Sequence, residues 1–184
     1  MSKNTIKRGR RALLKKAVQV GAALVAAEVL AQSNGVKAGD ILVYAEGSDA
    51  GKPVVPANLP FNKAVTAYAM DPQSKVIKND SKGLIVLVRL DRKSLDAETA
   101  KNAADGIVAY SAICTHQGCP VREIGSLGSG RGNLICTCHG SIYNPRAQAR
   151  VLGGPAPRPL PALPVKIQNG MIVAKGVFTG KIGL

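Results

Sequence analysis

At 184 residues the chain is long enough for one core of ordinary size plus a short extra segment, which excludes a multidomain architecture. Twenty glycines and eleven prolines beside only 3% aromatic residues suit short strands joined by tight turns, so an all-β domain is expected. A formal charge of +14 fits nucleic acid, an anionic membrane or an acidic protein, but with no Trp and only Phe61 and Phe178 as Phe there is no stacking platform, and no nucleic-acid partner is expected.

The charge is unevenly spread. Lys3, Lys7, Arg8, Arg10, Arg11, Lys15 and Lys16 head the chain, and an apolar run from Ala17 to Ala31 follows, ending in the polar Gln32-Ser33-Asn34-Gly35. That order is an export signal, and Arg10-Arg11-Ala12-Leu13-Leu14-Lys15 resembles the twin-arginine type, which carries proteins already folded around a cofactor. Ala17 to Ala31 covers about 22 Å at 1.5 Å per residue, short of the roughly 30 Å of a bilayer core, and it includes Gln19 and Glu28. Residues 1–31 are therefore expected to be a twin-arginine-type signal or a weak N-terminal anchor, with 32–39 as a linker and 40–184 as the domain. The expected location is the periplasmic side of a bacterial inner membrane, anchored or soluble.

Along the body, Asp40 to Ala45 and Ala64 to Met70 read as strands separated by a Gly/Pro-rich loop, Gly47 to Pro60. Gly83 to Leu90 is a continuous apolar run, the pattern of a strand covered on both faces. One short helix follows, with Ser94 as its expected N-cap, Asp96 and Glu98 near the positive end of its dipole, and Gly106 past its end. Gly106 to Ile113 is a strand running directly into a cysteine motif. Later come a Gly/Pro loop at Gly153 to Pro157 and a hairpin, Pro164 to Gln168 and Met171 to Lys175, turned by Asn169-Gly170.

All four cysteines and both histidines fall in two boxes, Cys114-Thr115-His116-Gln117-Gly118-Cys119 and Cys136-Thr137-Cys138-His139-Gly140-Ser141. Two facing loops could bring together two thiolates, Cys114 and Cys136, for one iron and two imidazoles, His116 and His139, for another. Structural zinc accepts a similar Cys2His2 set. Against it, Cys119 and Cys138 are surplus to four ligands yet occur one per box, as a disulfide tying the loops of an exported protein would need. Ser141 and Tyr143 also place hydroxyl donors where they could bond cluster sulfurs, from which zinc gains little.

The boxes and the Gly153-Gly154-Pro155-Ala156-Pro157 loop resemble the Rieske proteins of cytochrome bc complexes and of the arsenite oxidase small subunit, over roughly Gly106 to Val173. The resemblance implies one [2Fe-2S] cluster held by Cys114, His116, Cys136 and His139, with Cys119 and Cys138 matching the family's disulfide pair. It also implies a fold: an all-β, antiparallel sandwich base with an inserted cluster-binding subdomain, here about 112–157, and one short helix. Rieske ferredoxins and ring-hydroxylating dioxygenases lack the disulfide cysteines, which places this chain nearer the high-potential branch. At matching positions Ser141 would donate to a bridging sulfide and Tyr143 to the sulfur of Cys114, each stabilising the reduced state. The Gly153 to Pro157 loop would cover the cluster. His116 and His139 would also couple proton to electron transfer, because each leaves one ring nitrogen off the iron.

Two positions depart from the family pattern of bc complexes: Gln117 stands where Leu is usual, and Thr137 where Pro is usual. The first bears on quinol contact at the tip, the second on loop rigidity. The expected partners are accordingly quinol and cytochrome b/c-type subunits, or a molybdenum catalytic subunit of an exported oxidase similar to arsenite oxidase. The first would need a retained span and a hinge, the second neither.

Overall fold

The structure is a computed structural model that describes residues 35–184. The expected signal or anchor at 1–31 lies outside the described residues, as does the start of the expected linker at 32–34. Four strands open the fold, β1 (Ile41–Tyr44), β2 (Ala64–Met70), β3 (Ile77–Lys78) and β4 (Ile85–Arg89). A short helix, α1 (Ala97–Asn102), precedes β5 (Ile107–Ser111). Then come β6 (Glu123–Ile124), β7 (Leu134–Cys136), β8 (Ser141–Asn144) and β9 (Arg150–Gly153), and finally β10 (Val165–Gln168) and β11 (Met171–Ala174).

The strands form two antiparallel sheets. The larger runs β10-β11-β1-β2-β4-β5 with β3 beside β2, and the smaller runs β6-β7-β8-β9. The large sheet folds back on itself: Ser111 N–H donates to Pro161 O and Leu163 N–H to Ala109 O, both at 2.9 Å, so the segment leading into β10 pairs with β5. Enclosure explains the sequence of β4. Ile85, Val86, Leu87 and Val88 are each fully buried, so both faces of this strand lie in the core and its pattern is a run instead of an alternation. Each such side chain contributes about 1.5–3 kcal/mol of burial. The β10–β11 hairpin has the two-residue Asn169-Gly170 turn, and both residues adopt positive φ, 52° and 75°, as its twist requires.

The structure corrects the helix start. Ser94 ends a 3-10 turn capped by Asp91, and α1 is capped by Asp96, whose side chain accepts from Thr99 N–H at 2.7 Å. Asp outcompetes Ser here because its carboxylate also meets the positive end of the helix. Residues 35–39 pack onto the base: Val36 is fully buried, Gly39 N–H donates to Ala174 O, and Lys78 Nζ bonds both Gly35 O and Asp40 Oδ2. The packed domain therefore reaches back at least to Gly35. Among the described residues, no helix is long and apolar enough to cross a membrane.

Side chains fasten the small sheet to the base. The buried Tyr110 hydroxyl on β5 donates to Pro145 O at 2.9 Å, just past β8. Arg146 bridges Gly132 O at 2.6 Å and Asn62 Oδ1 at 3.1 Å. Helix α1 joins the same junction, since Asp96 N–H donates to Arg146 O and Gln148 N–H to Thr99 Oγ1. These bonds position the small sheet, and with it the second cysteine box, over the end of β5.

Candidate metal centre

β5 delivers the first box and the β7–β8 hairpin the second. Beyond β5, Ile113 pairs with Pro120, Cys114 N–H donates to Cys119 O at 2.8 Å, and Gly118 N–H donates back to Cys114 O at 3.0 Å. The first box is thus a closed turn with His116 and Gln117 at its apex, and Gly118 takes the positive φ of 76° that the closure demands. In the second box Cys136 pairs with Ser141, and Gly140 N–H donates to Cys136 O at 2.9 Å, which leaves Thr137, Cys138 and His139 at the apex.

Both loops present their polar ends to each other. The rings of His116 and His139 meet edge to face with centroids 4.8 Å apart. Cys119 and Cys138 form a disulfide that ties the loops together, with Cα atoms 6.5 Å apart. Cys114 and Cys136 remain free thiols, each only 1% exposed. His139, by contrast, is exposed and His116 half-buried, so the pair of thiols lies inside and the pair of imidazoles outside. The Cys136 sulfur sits within 4.8 Å of both disulfide sulfurs.

The buried thiols differ in acidity. Burial pushes Cys114 up, but hydrogen bonds, first from Tyr143 and then from the His116 N–H, outweigh it and hold the thiol below its ordinary value. Burial pushes Cys136 up, and Cys114 beside it holds it there against the N–H groups of Cys138 and His139. The Tyr143 hydroxyl, 3.1 Å from Cys114 Sγ, is pushed up to about 12, by burial first and then by that thiol, so it stays protonated.

These residues fit an iron–sulfur group. Two buried polar atoms lack any partner at the site, Ser141 Oγ and His116 Nδ1. A buried hydroxyl and a buried imidazole nitrogen left unpaired are costly unless something between the loops bonds them, and a sulfide-bridged metal pair offers an acceptor to the first and a metal to the second. A single zinc would use the four ligands but bring no sulfide for the Ser141 hydroxyl to meet.

Every site residue anticipated from sequence, Cys114, His116, Cys136, His139, Ser141, Tyr143, Cys119 and Cys138, is brought to this junction of the two loops. The Gly153 to Pro157 loop lies against the second box, where a Cβ on Gly154 would stand 2.4 Å from Gly140 O and 2.5 Å from Ser141 Cα. Gln117 and Thr137 are exposed at the two apices. Sequence reasoning passed over Thr115. This fully buried residue donates its hydroxyl to Arg158 O at 2.7 Å and its N–H to Tyr143 Oη at 3.3 Å. Only its place between Cys114 and His116 hinted at a role.

Comparison with known proteins gives the same direction. The family described as the Rieske [2Fe-2S] domain matches residues 56–164. A Rieske subunit provisionally named for a respiratory nitrate reductase in Haloferax mediterranei is 38% identical over 89 residues, 48% of this chain and 38% of the relative. The cytochrome bc1 complex Rieske iron-sulfur subunit of Streptomyces lividans is 35% identical over 105 residues, 56% of this chain and 60% of the relative. The chain thus spans less than two thirds of the length of either relative. Among solved structures it is similar to the soluble domain of Rieske protein II from Sulfolobus acidocaldarius, at 24% identity over 56% of this chain and 68% of that one, with a TM-score of 0.40.

Proposed function

Since the chain belongs to the Rieske [2Fe-2S] domain family, we propose that it is the one-electron carrier of a quinol:cytochrome c oxidoreductase, with Cys114 and Cys136 on one iron and His116 and His139 on the other. The protein binds one [2Fe-2S] cluster, which supplies reversible one-electron transfer at a potential raised by neutral imidazole ligands. The single observation that carries the ligand assignment is the pairing of two buried free thiols with two histidines that meet at 4.8 Å beside a separate disulfide.

The residues divide the work. Tyr143 donates its hydroxyl to Cys114 Sγ and Ser141 holds a hydroxyl ready for a sulfide, so both favour the state with more negative charge on sulfur. His116, with Nδ1 enclosed, keeps Nε2 for a proton. The exposed His139 presents its outer ring nitrogen to accept a hydrogen bond from a quinol hydroxyl and take its proton. The Gly153 to Pro157 loop packs against Gly140 and Ser141 and covers the base of the second box, leaving its His139 apex open.

The bc1 names among the relatives support the quinol-oxidising assembly, with cytochrome b and c subunits as partners. A second reading, an electron-transfer subunit of an exported molybdenum oxidase, draws on the exposed polar Gln117 at the tip and on the relative named for a nitrate reductase. Either assembly places the domain on the periplasmic side of a bacterial inner membrane. Support for that location is the basic-then-apolar order of residues 1–31 and the disulfide, a bond favoured outside the cytoplasm.

The test is to isolate the tagged native protein from membrane and soluble fractions and identify the cofactors that accompany it. Co-purifying b-type haem from membranes is the expected result. A molybdenum pterin in its place overturns the quinol-oxidising assembly in favour of the second reading.

A further inference from the structure

The seven cations after Glu123 have a feature in common: among the described residues, none of Arg131, Arg146, Arg150, Arg158, Lys166, Lys175 and Lys181 makes an ion pair with a carboxylate. Most of this charge is spread over the surface, but part of it gathers at one concave place. A groove of about 440 Å³ lies between α1, the segment 158–162 and the C-terminal stretch, with Arg158 and Lys181 in its wall. Lys101 precedes the lining residue Asn102 on α1, and the exposed Lys175 is tied to it, its Nζ donating to Lys101 O at 2.7 Å. Glu98 is the acid lining it, and Lys101 already neutralises that carboxylate. The groove is therefore left with the uncompensated charge of Arg158 and Lys181, with Lys175 held on the adjoining end of α1.

Its position is also specific. The Arg158 carbonyl accepts the Thr115 hydroxyl at 2.7 Å, and Thr115 is the residue between Cys114 and His116. The Arg158 guanidinium reaches the Gly183 carbonyl, which fixes the wall to the C-terminal stretch. One hydrogen bond thus separates the groove from the loop that carries the first thiol and the first imidazole. Solvent-exposed charge held beside a redox loop without partners is what an electrostatically steered electron-transfer contact requires.

We propose that this groove is a docking site for an acidic segment of a protein electron-transfer partner, which seats its carboxylates on Lys181 and Arg158. The proposal rests on the Rieske reading above and extends it: beside the histidine apex, the domain has a second face through which a partner comes close to the first box.

The test uses the cluster-loaded protein and a fluorescein-labelled hexaglutamate peptide as probe, with binding followed by fluorescence anisotropy at low and high salt. Lys181→Glu is compared with Lys166→Glu, which changes net charge equally at an exposed position on β10 outside the groove. The expected result is peptide binding that weakens with salt, is weakened at least about fivefold by Lys181→Glu, and changes less than about twofold with Lys166→Glu. Equal effects of the two variants, or no binding by protein whose electron paramagnetic resonance signal shows an intact cluster, would overturn the docking proposal alone. Protein that never acquires a cluster would instead count against the Rieske reading on which it rests.

Discussion

The Tyr143 hydroxyl stands 3.1 Å from Cys114 Sγ, so a buried phenol on β8 of the second box reaches the thiol of the first. The Thr115 N–H donates to the same oxygen at 3.3 Å, and of the phenol's two acceptors the sulfur at 3.1 Å is nearer than Thr115 Oγ1 at 3.4 Å, whose own proton goes to Arg158 O. Tyr143→Phe removes a donor that stabilises negative charge on Cys114. A bond of about 1 kcal/mol that strengthens on reduction corresponds to about 40 mV for one electron, so the potential should fall by tens of millivolts. A redox titration followed by circular dichroism measures this, and an unchanged potential would remove Tyr143 from the account.

Ser141 tests the same logic in a different way. Its buried hydroxyl has no partner within the protein, so Ser141→Ala should leave the cluster-free fold as stable as wild type or slightly more stable. In the loaded protein it should lower the potential. A variant that destabilises the cluster-free chain while leaving the potential unchanged would show that the hydroxyl serves the fold instead.

The disulfide closes a loop with a sequence separation of 19. Loss of that constraint on the unfolded chain, as in a Cys119→Ser, Cys138→Ser double variant, is expected to cost about 3 kcal/mol and to loosen the two apices. Thermal denaturation of the loaded protein, followed by bleaching of the cluster, should show a lower midpoint. Equal midpoints would mean that the metal group alone holds the loops together.

Gly154 has φ of +80°, and a Cβ there would collide with the Gly140 carbonyl and Ser141 Cα. Gly154→Ala combines backbone strain with overpacking, and a loss of roughly 2 kcal/mol or more is expected. The displaced loop would uncover Ser141 at the buried base of the second box. Iron content after purification and the rate of cluster loss are the readouts, and wild-type values for both would contradict the covering role.

Asp96 links stability to pH. Burial raises its carboxyl, but Thr99 N–H, the Thr99 and Gln148 side chains and the charge of Arg150 outweigh burial and hold it below the ordinary carboxylate value. A group depressed in the folded state contributes stability above its unfolded pKa, near 3.9, and loses that contribution as pH falls through its folded value. Asp96→Ala should therefore cost about 1 kcal/mol at pH 7, as lost caps do, and the difference from wild type should shrink as the medium is acidified below pH 4. Urea midpoints at the two pH values decide it, and a difference independent of pH would exclude the carboxylate as the cause.

Much of this was legible in the sequence. The β4 run, the β2 segment and the Asn169-Gly170 hairpin carry local signals strong enough to survive folding unchanged. Two boxes with two ligands and one surplus cysteine each restrict the chemistry to few groups. The small strands β6 to β9 were less visible, because they are two to four residues long and their residues are chosen by the turns they support, not by periodicity. Ser94 and Asp96 are both plausible caps by type, and the packing of α1 against Arg146 and Gln148 adds to the charge of the Asp96 carboxylate in selecting the second. Thr115 and Arg158 lie 43 residues apart, and no local pattern announces a bond between them.

The central claim is that one iron is held by Cys114 and Cys136 and the other by His116 and His139. Mössbauer spectroscopy of the iron-57-enriched protein, oxidised and reduced, tests it most directly. The account predicts two iron sites in equal amounts with distinct isomer shifts, and on reduction the added electron localised on the histidine-bound iron. Two equivalent thiolate-bound sites, or protein that carries zinc and no iron, would contradict it.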